Sequence, residues 1–123
     1  MPKHVTPCFE RYLEGIYILQ EKNGFARTGD LAKMFGVVYG TVTNTVSKLK
    51  NKGLVHHQPY FGVTLTDDGT RIALKSIKKH WLVTKMFTEL LDIEQELAYN
   101  LAFNLACYLP ETVIKKIEEK LGS

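Results

Sequence analysis

Apolar residues recur at helical spacing along most of this chain, and the spacing switches to strand-like alternation once. Phe9, Leu13, Ile16, Tyr17 and Leu19 make one face of a first helix reaching about Lys22, with Pro7 in its first turn and Thr6 as its cap. Asn23 and Gly24 end it, and Phe25 and Ala26 suit a short extended piece. Leu31, Met34 and Phe35 mark a second helix, capped by the Thr28 hydroxyl and closed by Gly36. Ala32 is small, as a close helix crossing requires. Val37 and Val38 turn into a third helix, about Tyr39 to Lys52, with Val42, Val46 and Leu49 inside. Gly53 closes it. Residues 54–58 and 62–66 then alternate on either side of Pro59-Tyr60-Phe61-Gly62, which predicts a β-hairpin. His56 and His57 read as partly exposed strand residues. Thr66 caps a long helix of about 67–91, where Asp67 and Asp68 complement the positive end of its dipole. After a break near Asp92, a helix starts about Glu94 and carries no charge from Leu97 to Leu109. Such a helix must be buried on most sides, and a second copy of the chain is the simplest cover. Pro110 ends it, and residues 111–121 form a last amphipathic helix with Val113, Ile114, Ile117 and Leu121 inside.

Two helices joined by a Gly-containing turn and followed by a hairpin form a winged helix-turn-helix. The outer face of the second of these helices carries Thr41, Asn44, Thr45 and Lys48, short polar groups plus a cation, which suit a DNA major groove. Its richness in Thr and Val is not what local helix stability selects. The charge pattern agrees. From Leu31 to Thr66 there is no acid, and the only formal charges are Lys33, Lys48, Lys50 and Lys52. Residues 1–30 balance and the stretch from Asp67 carries −1, so the net +3 sits on the helix-turn-helix region. Phosphates supply most of the binding energy in protein–DNA association and attract such a segment. Tyr39, Thr41, Thr43 and Asn44 are the candidates for base edges. Thr28, Lys48 and the backbone at Gly40 are the candidates for phosphates.

The expected fold class is mainly α, α with a small β wing. Residues 1–66 form the winged helix-turn-helix DNA-binding domain, and residues 67–123 a helical dimerisation region. The expected partners are double-stranded DNA and a second copy, a homodimer. There is no apolar run long enough to span a bilayer and no signal peptide, so the expected location is cytoplasmic. Two cysteines, Cys8 and Cys107, make no secreted disulfide framework and are expected as reduced thiols. No catalytic arrangement of Ser/His/Asp, Cys/His or paired carboxylates stands out, and the chain is not expected to be an enzyme.

The chain resembles the diphtheria toxin repressor family of iron- and manganese-dependent transcriptional regulators, especially its short manganese-regulator form. The resemblance rests on YLEGIYIL at 12–19, ARTGDLAKMFGVVYGTVTNTVSKLKNKGLV at 26–55 and PYFGVTLTDDGTRIAL at 59–74, with His80 after two basic residues. It implies a homodimeric transcriptional regulator whose C-terminal helices form the dimer interface and whose bound metal sets the spacing of two reading heads. The implied ligand positions depart from the family. They fall on Arg11 and Glu14 in the first helix, on His80 and Thr84 in the fourth, and on Phe103, Ala106 and Cys107 in the fifth. Glu14, His80 and Cys107 retain donors, with Cys8 one turn upstream of Arg11 as a possible fourth. Arg11 places a fixed cation there. This donor set suits zinc better than iron or manganese, if a transition metal is a cofactor at all. The wing has Phe61 where the family often has arginine. Tyr39 and Gly40 stand where small residues or proline are usual. Two alternatives stay open: a winged-helix regulator switched by a small ligand or thiol oxidation, and a dimeric interaction module that does not bind DNA.

Overall fold

The computed structural model describes residues 8–122. Its elements run α1 (Phe9–Asn23), α2 (Thr28–Phe35), α3 (Tyr39–Asn51), β1 (Val55–Gln58), β2 (Gly62–Leu65), α4 (Asp67–Leu90), α5 (Gln95–Leu105) and α6 (Glu111–Leu121). The described residues thus form six α-helices and one antiparallel hairpin, a mainly α fold with a small wing. The chain falls into two compact units that divide between Ala73 and Leu74, within α4.

In the first unit the apolar stripes read from the sequence converge on one core. Leu13 and Ile16 of α1, Leu31 of α2, and Val42, Val46 and Leu49 of α3 are essentially inaccessible, and Val55 and Val63 of the hairpin join them. Left-handed glycines stop α1 at Gly24 and α2 at Gly36, with φ of 90° and 65°. The hairpin pairs Val55 with Leu65 and His57 with Val63, and Ala26 adds an isolated bridge to Val63. Gln20 reaches from α1 to accept the Leu65 N–H at 2.8 Å, which anchors β2 to the helices.

Thr66 ties the end of the hairpin to what precedes and follows it. Its N–H donates to the Leu54 carbonyl at 3.1 Å and its hydroxyl to the Gly53 carbonyl at 2.8 Å. The same hydroxyl accepts the Gly69 N–H at 3.1 Å, the N-cap bond expected for α4. The α4 backbone then passes so close to the strand that a Cβ at Gly69 would overlap the Leu54 carbonyl oxygen. Gly15 is similarly hemmed in, by Met34 and Phe35 of α2.

In the second unit Leu82, Val83, Ala102, Ala106, Ile114 and Ile117 form a separate core, with Met86, Phe87 and Leu109 around it. Asp92, with φ of 56°, breaks the chain after α4, and Glu94 caps α5 by accepting the Glu96 N–H.

Five expectations need correction or fall outside. Thr28 does not cap α2: the cap position is Arg27, which makes no side-chain cap bond. The Thr28 hydroxyl instead accepts from the Tyr39 hydroxyl at 3.1 Å. Thr45 is not on the outer face but 2 % exposed, its hydroxyl donating to the Thr41 carbonyl at 2.9 Å. That internal bond satisfies the group and lets it be buried. The uncharged segment is not one helix. α5 ends at Leu105, a 3-10 turn covers Ala106–Tyr108, and Pro110 is the cap of α6. Nor is α5 buried on most sides: in the single chain Ala98 and Ala102 are buried, while Leu97, Tyr99, Leu101 and Leu105 are exposed. Thr6 and Pro7 lie outside the described residues.

The close approach at Gly69 gives a stability test. Alanine is favoured over glycine in a helix interior by about 1 kcal/mol. At Gly69 the overlap with a backbone oxygen outweighs this, and Gly69→Ala should destabilise the protein by roughly 1–3 kcal/mol. Gly40, whose Cβ position has open space around it, should tolerate alanine with no loss. Urea unfolding of both variants checks the contrast, and equal stabilities would show that Gly69 is not tightly packed.

Candidate nucleic-acid interface

Only one stripe of α3 is apolar, so burial of Val42, Val46 and Leu49 turns the rest of the helix outward. Thr41, Thr43, Asn44, Ser47 and Lys48 are all exposed. The Thr43 hydroxyl donates to the Gly40 carbonyl at 3.0 Å, which aims its remaining lone pairs away from the helix. Nothing lies within 4 Å of a Cβ position at Gly40, so the backbone there is open to close approach. Tyr39 is 59 % exposed, but its hydroxyl is engaged by Thr28. That bond fastens the start of α3 to the start of α2, the two helix ends that carry the proposed phosphate and base contacts. The residues singled out for DNA all belong to the first unit, Thr28 on α2 and Tyr39, Gly40, Thr41, Thr43, Asn44 and Lys48 on α3, and those of α3 are exposed.

The sequence reading missed the rim of this face. A groove of about 620 Å³ runs beside α3, walled by Arg27, Thr28 and Lys33 on one side and by His57, Tyr60 and Phe61 of the wing on the other. Arg27 stands over the Phe25 ring at 5.5 Å, which holds its guanidinium near the groove. The cation count between Arg27 and Lys52 was legible, but the folding of the wing beside α2 was not. Asp30 is the one acid lining the groove.

The residues with metal-donor chemistry lie on different elements. Glu14, 3 % exposed, is on α1 in the first unit, and His80 and Cys107 belong to the second. His80, also 3 % exposed, sets Nε2 3.0 Å from the Tyr99 carbonyl. A carbonyl only accepts, so Nε2 carries the proton, and the ring can offer a metal at most Nδ1. The ring packs against Tyr99 and Phe103, with centroids 4.3 and 5.4 Å away. Thr84, where the family resemblance implies a carboxylate, donates its hydroxyl to the His80 carbonyl at 2.8 Å. Neither cysteine stands as a free thiol, against the expectation of two reduced ones. Among the described residues no three His, Cys, Asp or Glu side chains gather as a metal-binding group. No helix of the described chain is long and apolar enough to cross a membrane.

Comparison with known proteins accounts for both units. Residues 4–63 match the iron dependent repressor N-terminal DNA binding domain. Residues 66–123 match the iron dependent repressor metal binding and dimerisation domain. An uncharacterized HTH-type transcriptional regulator of Methanocaldococcus jannaschii is 33% identical over 115 residues, covering 93% of this chain and 92% of that protein. The HTH-type transcriptional regulator MntR of Lysinibacillus sphaericus is 33% identical over 95 residues, 77% of this chain and 68% of that one. A solved structure described as a manganese-dependent transcriptional repressor in complex with manganese superposes with a TM-score of 0.79 at 30% identity. The match covers 93% of this chain and 52% of that one, so the chain spans about half the length of that structure. Matched along nearly its whole length, this chain belongs to the iron-dependent repressor family, whose members are DNA-binding transcriptional regulators and not enzymes.

Proposed function

We propose that the protein is a homodimeric transcriptional repressor that lays α3 into the major groove of an operator. The observation that carries this reading is the outward, acid-free polar face of α3, set by the buried stripe of Val42, Val46 and Leu49. Thr41, Thr43 and Asn44, with Tyr39 at the helix start, read base edges, and Lys48, Thr28 and the Gly40 backbone hold phosphates. We assign residues 1–66 to DNA binding and 67–123 to dimerisation, with the cytoplasm as the place of action. Pairing is supported by the exposed stripe of Leu97, Leu101 and Leu105, beside the stripe of Ala98 and Ala102 that α5 buries within the chain. Apolar side chains at i, i+4 and i+8 on a helix that carries no charge from Leu97 onward suit a two-fold partner face.

Control by iron or manganese is not supported by the donors. Of the positions that the family resemblance assigns to metal, Arg11, Thr84, Phe103 and Ala106 supply no carboxylate or imidazole, which leaves Glu14, His80 and Cys107, with Cys8 nearby in sequence to Arg11. Thiolate, imidazole and one carboxylate suit zinc when the cysteines are reduced. A second reading, a switch in cysteine redox state, is favoured by the absence of a free thiol at Cys8 or Cys107.

Duplex binding measured against salt tests the first reading. Lys48→Ala should weaken binding to all sequences alike and reduce the slope of log affinity against log salt by about 1. Asn44→Ala should leave the slope unchanged and relax discrimination at one base pair by about 1–3 kcal/mol. The absence of any duplex binding at low salt would refute it.

Leu101→Glu tests the dimer. Because Leu101 is exposed in the single chain, the variant should fold, and it should sediment as a monomer at concentrations where the parent is a dimer. A stable dimer carrying Glu at this position would move the interface elsewhere, since burying an unpaired charge in an apolar interface costs more than burying an unpaired neutral polar group.

For control, titrating operator binding with manganese, ferrous iron and zinc should give no strong activation by the first two. Any zinc effect should need reductant and fade as pH falls and the ligands protonate. Tight binding that appears only with micromolar manganese or iron, on the order of the affinity of a sensor site, would overturn the assignment.

A further inference from the structure

The tip of the wing carries two aromatic side chains in solvent. Tyr60 is fully exposed and Phe61 is 66 % exposed. The turn that presents them is closed by the Phe61 N–H on the Gln58 carbonyl at 3.1 Å. Pro59 follows Gln58, and Tyr60 has φ of 74°. Proline second and a positive φ third make a type II turn, whose third position belongs to glycine or asparagine. A tyrosine there is strained, because its Cβ crowds the neighbouring peptide. The chain thus holds an aromatic residue in a conformation that disfavours it, at a place where the ring packs on nothing. Strain of this kind, observed rather than assumed, marks a position kept for something other than stability.

The surroundings indicate what the tip meets. Tyr60 and Phe61 line the same groove as Thr28 and Tyr39, so they continue the face that presents α3. Gln58 to Gly62 carry no charge, and from Leu31 to Thr66 there is no acid to repel a polyanion. Salt-dependent attraction therefore comes from the lysines of the helices, while the tip adds apolar, planar surface alone.

We propose that Tyr60 and Phe61 form an aromatic wedge that enters the minor groove of duplex DNA beside the site of α3, packing on sugars and loosening one base step. The wedge rests on the DNA-binding reading above. It supplies affinity through stacking and apolar contact, as aromatic and apolar side chains do in other minor-groove and single-strand complexes. It discriminates by how readily a step unstacks, which favours flexible pyrimidine–purine steps.

Tyr60→Gly separates this role from folding, because glycine relieves the positive φ. The variant should be at least as stable to heat as the parent, yet bind a fluorescein-labelled AT-rich duplex about fivefold to a hundredfold more weakly. Phe61→Ala should lose affinity to a similar degree. Neither should change the salt slope, in contrast to Lys48→Ala. A duplex carrying 2-aminopurine at successive steps should brighten at one step with the parent protein, and a minor-groove ligand of the netropsin class should compete. Full affinity in both wing variants, with Lys48→Ala still weakened, would overturn the wedge and leave the DNA reading intact. Loss of self-association rather than of DNA affinity in Tyr60→Gly would overturn it in favour of a second copy as the occupant. Failure of the parent to bind any duplex at low salt would remove the reading on which it rests.

Discussion

The hydrogen bonds of Thr66 hold together the three parts that a reading head needs. One residue donates to the carbonyls of Gly53 and Leu54, at the end of the recognition helix and the base of the wing, and caps α4 through the Gly69 N–H. Its own carbonyl accepts both the N–H and the hydroxyl of Thr70. Without this node, β2 would have only Gln20, the bridge to Ala26 and the ladder to fix it, and a two-stranded ribbon alone is marginally stable. The absence of a side chain at Gly69 is the steric counterpart: the node closes only because the α4 backbone can touch the strand.

From that anchored frame the rest follows by exclusion. The core of the first unit takes the apolar stripes of α1, α2 and α3, which leaves one polar stripe of α3 with nowhere to go but outward. The second unit takes Leu82, Val83, Ile114 and Ile117 with the alanines of α5, which leaves the leucines of α5 outside. Two outward faces of opposite character result, one polar and free of acids, one apolar and free of charge. They match the two descriptions, DNA binding and dimerisation, that the family comparisons attach to the two stretches of chain.

Much of this was legible in the sequence, because element type follows from hydrophobic period and from Gly and Pro punctuation. The hairpin, the three helices before it and the cap at Thr66 depend on neighbours within a few residues, and they stand where the pattern puts them. What failed depends on distant partners. Thr28 had the chemistry of a cap, but Tyr39, eleven positions on, claims its hydroxyl. Thr45 looked like a surface residue until its bond to Thr41 made it burial-compatible. The close approaches at Gly15 and Gly69 look in sequence like weak points of helices, and only the packed chain reveals them as contacts. In the candidate site, the face of α3 came directly from i, i+4 and i+7. The wing tip did not: Pro59 and Gly62 marked a turn, but nothing in the pattern put a positive φ on Tyr60.

The open space around Gly40 bears on how such a protein changes over time. Thr41, Thr43, Asn44 and Ser47 are exposed and share with Gly40 a surface that the core does not use. Substitutions there leave the packed interior alone, so under the proposed reading of α3 target preference and thermal stability can drift independently. A lineage, or an experimenter, can rewrite the address that the protein recognises while inheriting its scaffold unchanged. Tyr39 is the exception, because its bond to Thr28 makes it part of both, and retargeting through that position would disturb the helix pair itself.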